Sequence, residues 1–302
     1  MPLRGTTVKT SGEERLTLLR PMVTRRFELT VDHTLCVGCG TCAKVCPREA
    51  ISMGEPLVVE GRLVQKPRVD IDDQTCSFCG ECVALCPTHA LAMTVNGETE
   101  IPVVKAQAFP FLVRRVKVNQ APLAALTDTD YIETCPTGAI SADVERDAEG
   151  TVLAVANVQL DRGLCINCSH CQETAPEGGF EICKPYKGHT RLDVSLCPDG
   201  CQACADACPT DAMTYDGNKV VLDERFCLFC GACQAVCPVE GAVITERTGF
   251  VHTPVHSAAW STALEKLVSI KAVRREHDQR GQARRRKLVA DALLLGDNGD
   301  EP

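Results

Sequence analysis

The 302-residue chain carries a formal net charge of −8 and 21 cysteines, with only 4% aromatic residues. The acidic balance argues against nucleic-acid binding over most of its length, and no run of 18 apolar residues is present to cross a membrane. Met1 to Pro21 has no apolar segment of the kind a secretory leader needs, and charged Glu28 and Asp32 follow Arg25-Arg26 where a twin-arginine signal would need apolar residues. A secreted disulfide scaffold is therefore not expected. The composition points to a soluble, cytoplasmic protein of a reducing cell.

Residues 1–25 are mixed, polar and basic, and read as an N-terminal arm, flexible or touching a partner. Phe27 to Asp32 alternates and predicts a strand. It leads into Cys36-Val-Gly-Cys39-Gly-Thr-Cys42-Ala-Lys-Val-Cys46-Pro47. This C-x-x-C-x-x-C-x-x-x-C-P spacing is that of a bacterial-type 4Fe–4S cluster: three thiolates on one tight loop bind three irons, and the fourth points to a second cluster. Proline then stops the helical turn. Strand Arg68 to Asp72 precedes the second run, Cys76-Ser-Phe-Cys79-Gly-Glu-Cys82-Val-Ala-Leu-Cys86-Pro87. Residues 26–106 are read as one domain with two clusters, the first held by Cys36, Cys39, Cys42 and Cys86, the second by Cys76, Cys79, Cys82 and Cys46. The 29 residues between Cys46 and Cys76 predict an enlarged hairpin around Gly54 to Gly61. Gly40, Gly80 and the later Gly231 are expected to let the backbone approach a cluster.

Residues 107–186 form a degenerate copy. Cys135-Pro-Thr-Gly-Ala-Ile140 lacks its three preceding cysteines, where Ala125, Asp128 and Tyr131 stand. In Cys165-Ile-Asn-Cys168-Ser-His-Cys171-Gln-Glu-Thr-Ala175-Pro176 the fourth cysteine is alanine. All four losses fall on a single cluster, so Cys135, Cys165, Cys168 and Cys171 are expected to hold the one that remains. Cys183 is left over, a packed or free thiol or else a replacement for Cys135.

Residues 187–250 again predict two clusters. The first run, Cys197-Pro-Asp-Gly-Cys201-Gln-Ala-Cys204-Ala-Asp-Ala-Cys208-Pro209, has one extra residue in its first gap, absorbed by a turn at Pro198 and Gly200. The second is Cys227-Leu-Phe-Cys230-Gly-Ala-Cys233-Gln-Ala-Val-Cys237-Pro238. Cross-ligation assigns Cys197, Cys201, Cys204 and Cys237 to one cluster, and Cys227, Cys230, Cys233 and Cys208 to the other. The expected total is five 4Fe–4S clusters from 20 of the 21 cysteines. Residues 251–302 read as a helical docking tail, with Trp260, Leu264, Leu267, Val268 and Ile270 as an apolar stripe and Arg284 to Lys287 as a basic cluster.

The fold class is α+β: three tandem bacterial-type ferredoxin-like domains, the middle one degenerate, and a helical tail. Zinc sites use separated Cys pairs or Cys–His sets, which repeated triplets followed by Cys-Pro do not match. No nucleophile–base constellation or Gly-rich phosphate loop is visible. Three functions are open: a multi-cluster electron conduit; an oxidoreductase subunit with its own substrate site in the vacated part of the middle domain; and a structural role with clusters as folding staples. The small apolar content leads us to expect an apoprotein that is largely unfolded.

Three stretches narrow the choice. Tyr131-Ile-Glu-Thr-Cys135-Pro-Thr-Gly-Ala-Ile140, Leu196-Cys-Pro-Asp-Gly-Cys201 and Thr253 to Leu267 make the chain resemble the polyferredoxin subunits of formylmethanofuran dehydrogenase in methanogens. Larger members of that family carry more cluster motifs, and residues 1–25 and those beyond 270 fall outside the match. The resemblance implies a subunit that is not itself catalytic. It would relay low-potential electrons to a tungsto- or molybdopterin centre that reduces CO2. Its partners would be the other subunits of that complex, with ferredoxin or heterodisulfide reductase as electron donor. The alternative is the polyferredoxin hub of a hydrogenase–heterodisulfide reductase assembly.

Overall fold

A computed structural model describes residues 5–124 and 129–268. The first strands lie in the stretch read as an arm. β1 (Val8–Ser11) and β2 (Arg15–Pro21) pair antiparallel, and β2 pairs with β3 (Arg26–Asp32). The polar character of residues 1–25 hides an alternation in β2 that buries Leu16 and Leu18 against Leu29 and Val31. Arg20 fastens the pair with hydrogen bonds to Thr7 Oγ1 (2.7 Å) and Asp73 O (3.0 Å), its guanidinium lying over the Phe78 ring. This segment is part of a sheet and not a loose arm.

After the first cysteine run come α1 (Thr41–Val45), β4 (Ile51–Met53), the hairpin β5 (Leu57–Val59) and β6 (Arg62–Gln65), and β7 (Val69–Ile71). The second run leads to α2 (Glu81–Ala84), β8 (Leu91–Val95), β9 (Glu98–Thr99) and α3 (Pro102–Lys105). β3 pairs with β8 while β4 pairs with β7, so the outer strands close on each other and the inner strands do the same. The same pairing recurs twice. β10 (Val116–Val118) joins β13 (Phe180–Ile182) around the long hairpin of β11 (Ile140–Arg146) and β12 (Val152–Leu160). β14 (Tyr186–Leu192) joins β17 (Val243–Phe250) around β15 (Met213–Tyr215) and β16 (Val220–Leu222). Short helices fill the intervals: α4 (Gln120–Ala124), α5 (Asp130–Glu133), α6 (His170–Thr174), α7 (Ala203–Asp206) and α8 (Ala232–Val236). α1 lies against α2, α5 against α6 and α7 against α8.

The enlarged hairpin is where the Cys46–Cys76 spacing places it. Its two-residue turn has Glu60 at φ 50° and Gly61 at φ 77°, which suits the right-handed twist of tightly paired strands. It reaches across to the last repeat. Arg62 grips Asp206 with two hydrogen bonds (3.0 and 3.1 Å), Leu63 N–H donates to the same carboxylate, and Gln202 N–H donates to Gly61 O (2.8 Å).

The last described element is α9 (Ala258–Val268). Its apolar stripe needs burial, and the chain itself supplies it. Trp260 is 4% exposed, edge-on to Phe109 (5.2 Å between centroids) and Phe250 (6.0 Å), and Ala263 and Leu267 join the same core between α1 and β17. The expected docking surface is therefore already used, by an internal partner. Ile270 and the Arg284–Lys287 cluster lie outside the described residues. No helix among the described residues is long and apolar enough to cross a membrane.

Candidate metal centres

Each cysteine run is entered in the same way. An aspartate four residues before the first cysteine folds its carboxylate back onto the backbone. Asp32 Oδ1 accepts from Thr34 N–H (2.9 Å), Asp72 from Gln74 (2.8 Å), Asp161 from Gly163 (2.7 Å), Asp193 from Ser195 (3.1 Å) and Asp223 from Arg225 (3.1 Å). These Asx turns aim the chain into the loop. The D-x-x-x-C repeat was legible in the sequence as a fixed offset, yet it escaped the motif reading, which started at cysteine.

Inside the loops the chain turns left-handed twice. The residue before the second cysteine has positive φ at Gly38, Phe78, Asn167 and Phe229, and so does the residue after it at Gly40, Gly80, Ser169 and Gly231. The three expected glycines thus sit where an L side chain is strained, and Ser169 takes that place in the middle repeat. In the variant loop only Gly200 (φ 71°) keeps the pattern, because Gln202 lies at φ −134°.

Within each repeat the thiols lie close enough to act on one another. Burial pushes Cys36 up to about 11, and the charges of Cys39 and Cys86 add to this. Burial, then Cys39, Cys82, Cys86 and Cys36, raises Cys42. Burial raises Cys76 and Cys79, each with Cys46 among the neighbouring charges, and Cys82 with Cys79, Cys76 and Cys46. In the middle repeat, burial lifts Cys168 to about 11 and Cys171 to about 12, with Cys135 acting on both and on Cys165. In the last repeat Cys197 and Cys204 feel Cys237, while Cys227 and Cys233 feel Cys208. Buried thiols with raised proton affinity are poor free nucleophiles, and metal must displace their protons. Among the described residues no three His, Cys, Asp or Glu side chains converge on a single-ion site. A cubane differs in that each thiolate binds its own iron.

Two positions were open in the middle repeat. Cys135 Sγ accepts a hydrogen bond from Ala139 N–H (3.3 Å) with Gly138 at φ 62°, just as Cys46 Sγ accepts from Ala50 N–H (3.3 Å) with Glu49 at φ 53°. Cys183 instead continues from β13. Its N–H donates to Arg115 O (2.9 Å), and its carbonyl accepts from the Asn167 amide (3.2 Å), so it braces the loop through its backbone. Tyr131 stands where Cys42 stands in the first repeat. Tyr131 and Leu123 are fully buried, packed with Phe180, Val155 and Val158, and Ala175 lies against this core. Ala125 and Asp128 lie outside the described residues.

The 4Fe-4S dicluster domain matches residues 35–90 and 196–241. The polyferredoxin FwdF of Methanocaldococcus jannaschii is 44% identical over 115 residues, which are 37% of this chain and 31% of FwdF. The polyferredoxin MvhB of Methanothermobacter marburgensis is 35% identical over 86 residues, 24% of this chain and 19% of MvhB. The chain thus spans a third or less of these two relatives. It covers 90% of the ferredoxin MJ0199 of M. jannaschii at 41% identity over 57 residues, 18% of this chain. Among solved structures, a chain of the formate dehydrogenase–heterodisulfide reductase–formylmethanofuran dehydrogenase complex of Methanospirillum hungatei superposes with a TM-score of 0.75. It is 26% identical, and the match covers 89% of this chain and 93% of that one. Repeated cysteine loops, buried thiols and these likenesses agree: the chain belongs to the 4Fe–4S ferredoxins and is similar to polyferredoxins over part of its length.

Proposed function

We propose that the chain is a five-cluster electron conduit in a formylmethanofuran dehydrogenase assembly, feeding low-potential electrons toward a tungsto- or molybdopterin centre. The observation that carries this reading is the superposition over nearly the whole length of a chain from the M. hungatei complex, supported by the likeness to FwdF. Cys36, Cys39, Cys42 and Cys86 would hold one cluster, and Cys46, Cys76, Cys79 and Cys82 the next. Cys135, Cys165, Cys168 and Cys171 would hold the third. Cys197, Cys201, Cys204 and Cys237, and Cys208, Cys227, Cys230 and Cys233, would hold the last two. The proposed division into domains at 26–106, 107–186 and 187–250 is supported by the three strand-pairing repeats, with β1 and β2 joining the first and β14 opening the last at Tyr186. A bound cluster supplies one-electron redox chemistry. The chain's own part is to bury the thiols, aim them with the Asp-anchored turns, and keep polar groups directed at sulfur, such as Phe229 N–H on Cys227 Sγ (3.3 Å). In this reading the chemistry on CO2 would fall to a pterin-bearing partner subunit.

The second reading, a hub between a hydrogenase and heterodisulfide reductase, is supported by the likeness to MvhB and by heterodisulfide reductase standing in the same complex. Anaerobic purification from the native cell with metal analysis separates the two. Tungsten or molybdenum with a pterin-bearing subunit is the expected result. Nickel without a pterin metal would overturn it in favour of the second reading. Iron is expected near ~20 atoms per chain.

A further inference from the structure

Cysteine loops from all three repeats meet in one apolar cluster. The residue after the first cysteine is apolar in one loop of each repeat: Val37, Ile166 and Leu228, exposed by only 6%, 4% and 4%. These three side chains, from parts of the chain far apart in sequence, pack into one apolar cluster with Cys39, Cys168, Cys230 and Ala232. One cysteine loop from each repeat therefore meets the other two at a common point.

Three seams radiate from that point, and each holds one basic side chain. Between the first and last repeats lies Arg247, 7% exposed. It donates to Phe229 O (2.8 Å), to Cys230 O and to Thr41 Oγ1 (3.3 Å). Between the first and middle repeats Arg114 donates to Cys86 O and to Pro87 O (3.0 Å), beside His89, whose Nε2 lies 3.2 Å from Cys165 O. Between the middle and last repeats Lys184 donates to Arg225 O and to Cys227 O (3.2 Å). There His170 also stacks flat on Phe226 at 3.8 Å. Among the described residues none of the three cations forms an ion pair with a carboxylate. Each is instead bonded to neutral carbonyls and hydroxyls. A cation taken out of water without a counter-charge is costly. The charges in reach include thiolates of the facing sets: Cys86 and Cys165 for Arg114, after Tyr186, and Cys227 and Cys168 for Lys184, followed by the carboxylates of Glu173 and Asp223.

We propose that the clusters held by Cys36, Cys39, Cys42 and Cys86, by Cys135, Cys165, Cys168 and Cys171, and by Cys208, Cys227, Cys230 and Cys233 form a three-way junction, with Arg114, Lys184 and Arg247 as the positive charge at its three seams. This rests on the five-cluster reading above. Every edge of the triangle is direct, so electrons divide among three repeats without passing the middle one in series. Each transfer moves one electron: one cluster is oxidised as its neighbour is reduced, no bond forms or breaks, and no proton is needed. The starting reductant is a low-potential one-electron donor. The junction also accounts for the asymmetry of the middle repeat. Its retained set lies at the junction, and the set it lost is the outer one, now packed with Tyr131. The other outer sets, Cys46 with Cys76, Cys79 and Cys82, and Cys197 with Cys201, Cys204 and Cys237, become the two arms. The seam cations place positive charge between anionic centres, which favours their reduced state and lowers their mutual repulsion.

The test uses the full chain, loaded and handled anaerobically, reduced stepwise with dithionite and followed by electron paramagnetic resonance. The fully reduced protein is expected to show spin–spin interaction among the inner clusters. Removing the middle cluster with Cys168→Ala is expected to leave the interaction between the first and last repeats intact, whereas single-file order demands its loss. Because that variant changes a ligand, charge variants give an independent reading. Arg247→Gln and Lys184→Gln are expected to shift the reduction equilibrium of the adjacent clusters about tenfold toward the oxidised form, ~59 mV for one electron. Arg247→Lys and Lys184→Arg are expected to restore most of it, and a merely structural role would not move the potential. The junction is overturned if the wild-type chain holds ~20 iron atoms and its clusters do not interact, if the interaction vanishes with Cys168→Ala, or if the charge variants leave every potential unchanged. Wild-type iron far below that level overturns the five-cluster reading itself, and the junction with it.

Discussion

Cysteine identity carries most of the chemistry, yet neighbouring residues decide which cysteines matter. Cys135 and Cys183 are chemically the same, but only Cys135 shares with Cys46 the left-handed residue three places on and the N–H bond to sulfur. Cys135→Ser is expected to remove about four iron atoms per chain and the spectrum of the middle cluster. Cys183→Ser should leave both unchanged; iron analysis with absorption spectroscopy checks the pair. The aspartates at the loop mouths make a pH prediction. Hydrogen bonds, chiefly from the Thr34 hydroxyl, hold Asp32 below the ordinary carboxylate range. A depressed folded value means stability that is present above about pH 4 and lost as pH falls through that lower value. Asp32→Asn is expected to flatten this acid limb relative to the parent, as read from unfolding midpoints between pH 6 and the acid limit. The cysteine sets could be read from spacing alone, because ligand geometry fixes offsets along the chain. Arg114, Lys184 and Arg247 could not, because nothing local distinguishes a seam cation from a surface one.

Among the elements, the β5–β6 hairpin and α9 show what burial adds to pattern. The hairpin was legible as an excess of residues, but its purpose was not. Gly61 lies against the Cys201 loop so closely that a Cβ would sit 2.7 Å from Cys201 Cα and 3.1 Å from Gly200 O, at a φ of +77°. Gly61→Val is therefore expected to lift the hairpin off the last repeat, destabilise the protein by about 1–3 kcal/mol, and hasten loss of the cluster assigned to Cys197, Cys201, Cys204 and Cys237 under mild oxidation. Arg62→Ala should do far less, since exposed ion pairs contribute about 0–1 kcal/mol. In α9 the amphipathic pattern was visible but its partner was not, and the buried Trp260 face turns out to close the core over Phe109 and Phe250. Trp260→Ala is expected to cost about 3–5 kcal/mol, measured as a lowered thermal midpoint of the loaded protein. In β2 the polar composition masked two fully inward leucines, because a strand needs only alternate apolar positions to be half a core.

Across the whole molecule the cores are small and built partly from the cysteines themselves, with Cys42, Cys46, Cys82 and Cys86 in one, Cys171 in the next, and Cys204 and Cys233 in the last. Metal binding and folding are then one process. Stripping iron with a chelator under reducing conditions is expected to abolish cooperative thermal unfolding and most strand signal in circular dichroism; a retained sharp transition would show that the apolar cores suffice alone. The sequence by itself determined the repeated cysteine runs of a 4Fe–4S ferredoxin, since these follow from short offsets along the chain and from ligand chemistry acting within each loop. Only the tertiary structure decided how the repeats face one another. Val37, Ile166 and Leu228 are each an ordinary apolar residue in a cysteine loop, and no spacing records that they meet. Their convergence depends on long-range packing and on three seam cations bonded to backbone carbonyls or a hydroxyl of a neighbouring repeat, energies that appear only when distant segments are brought together.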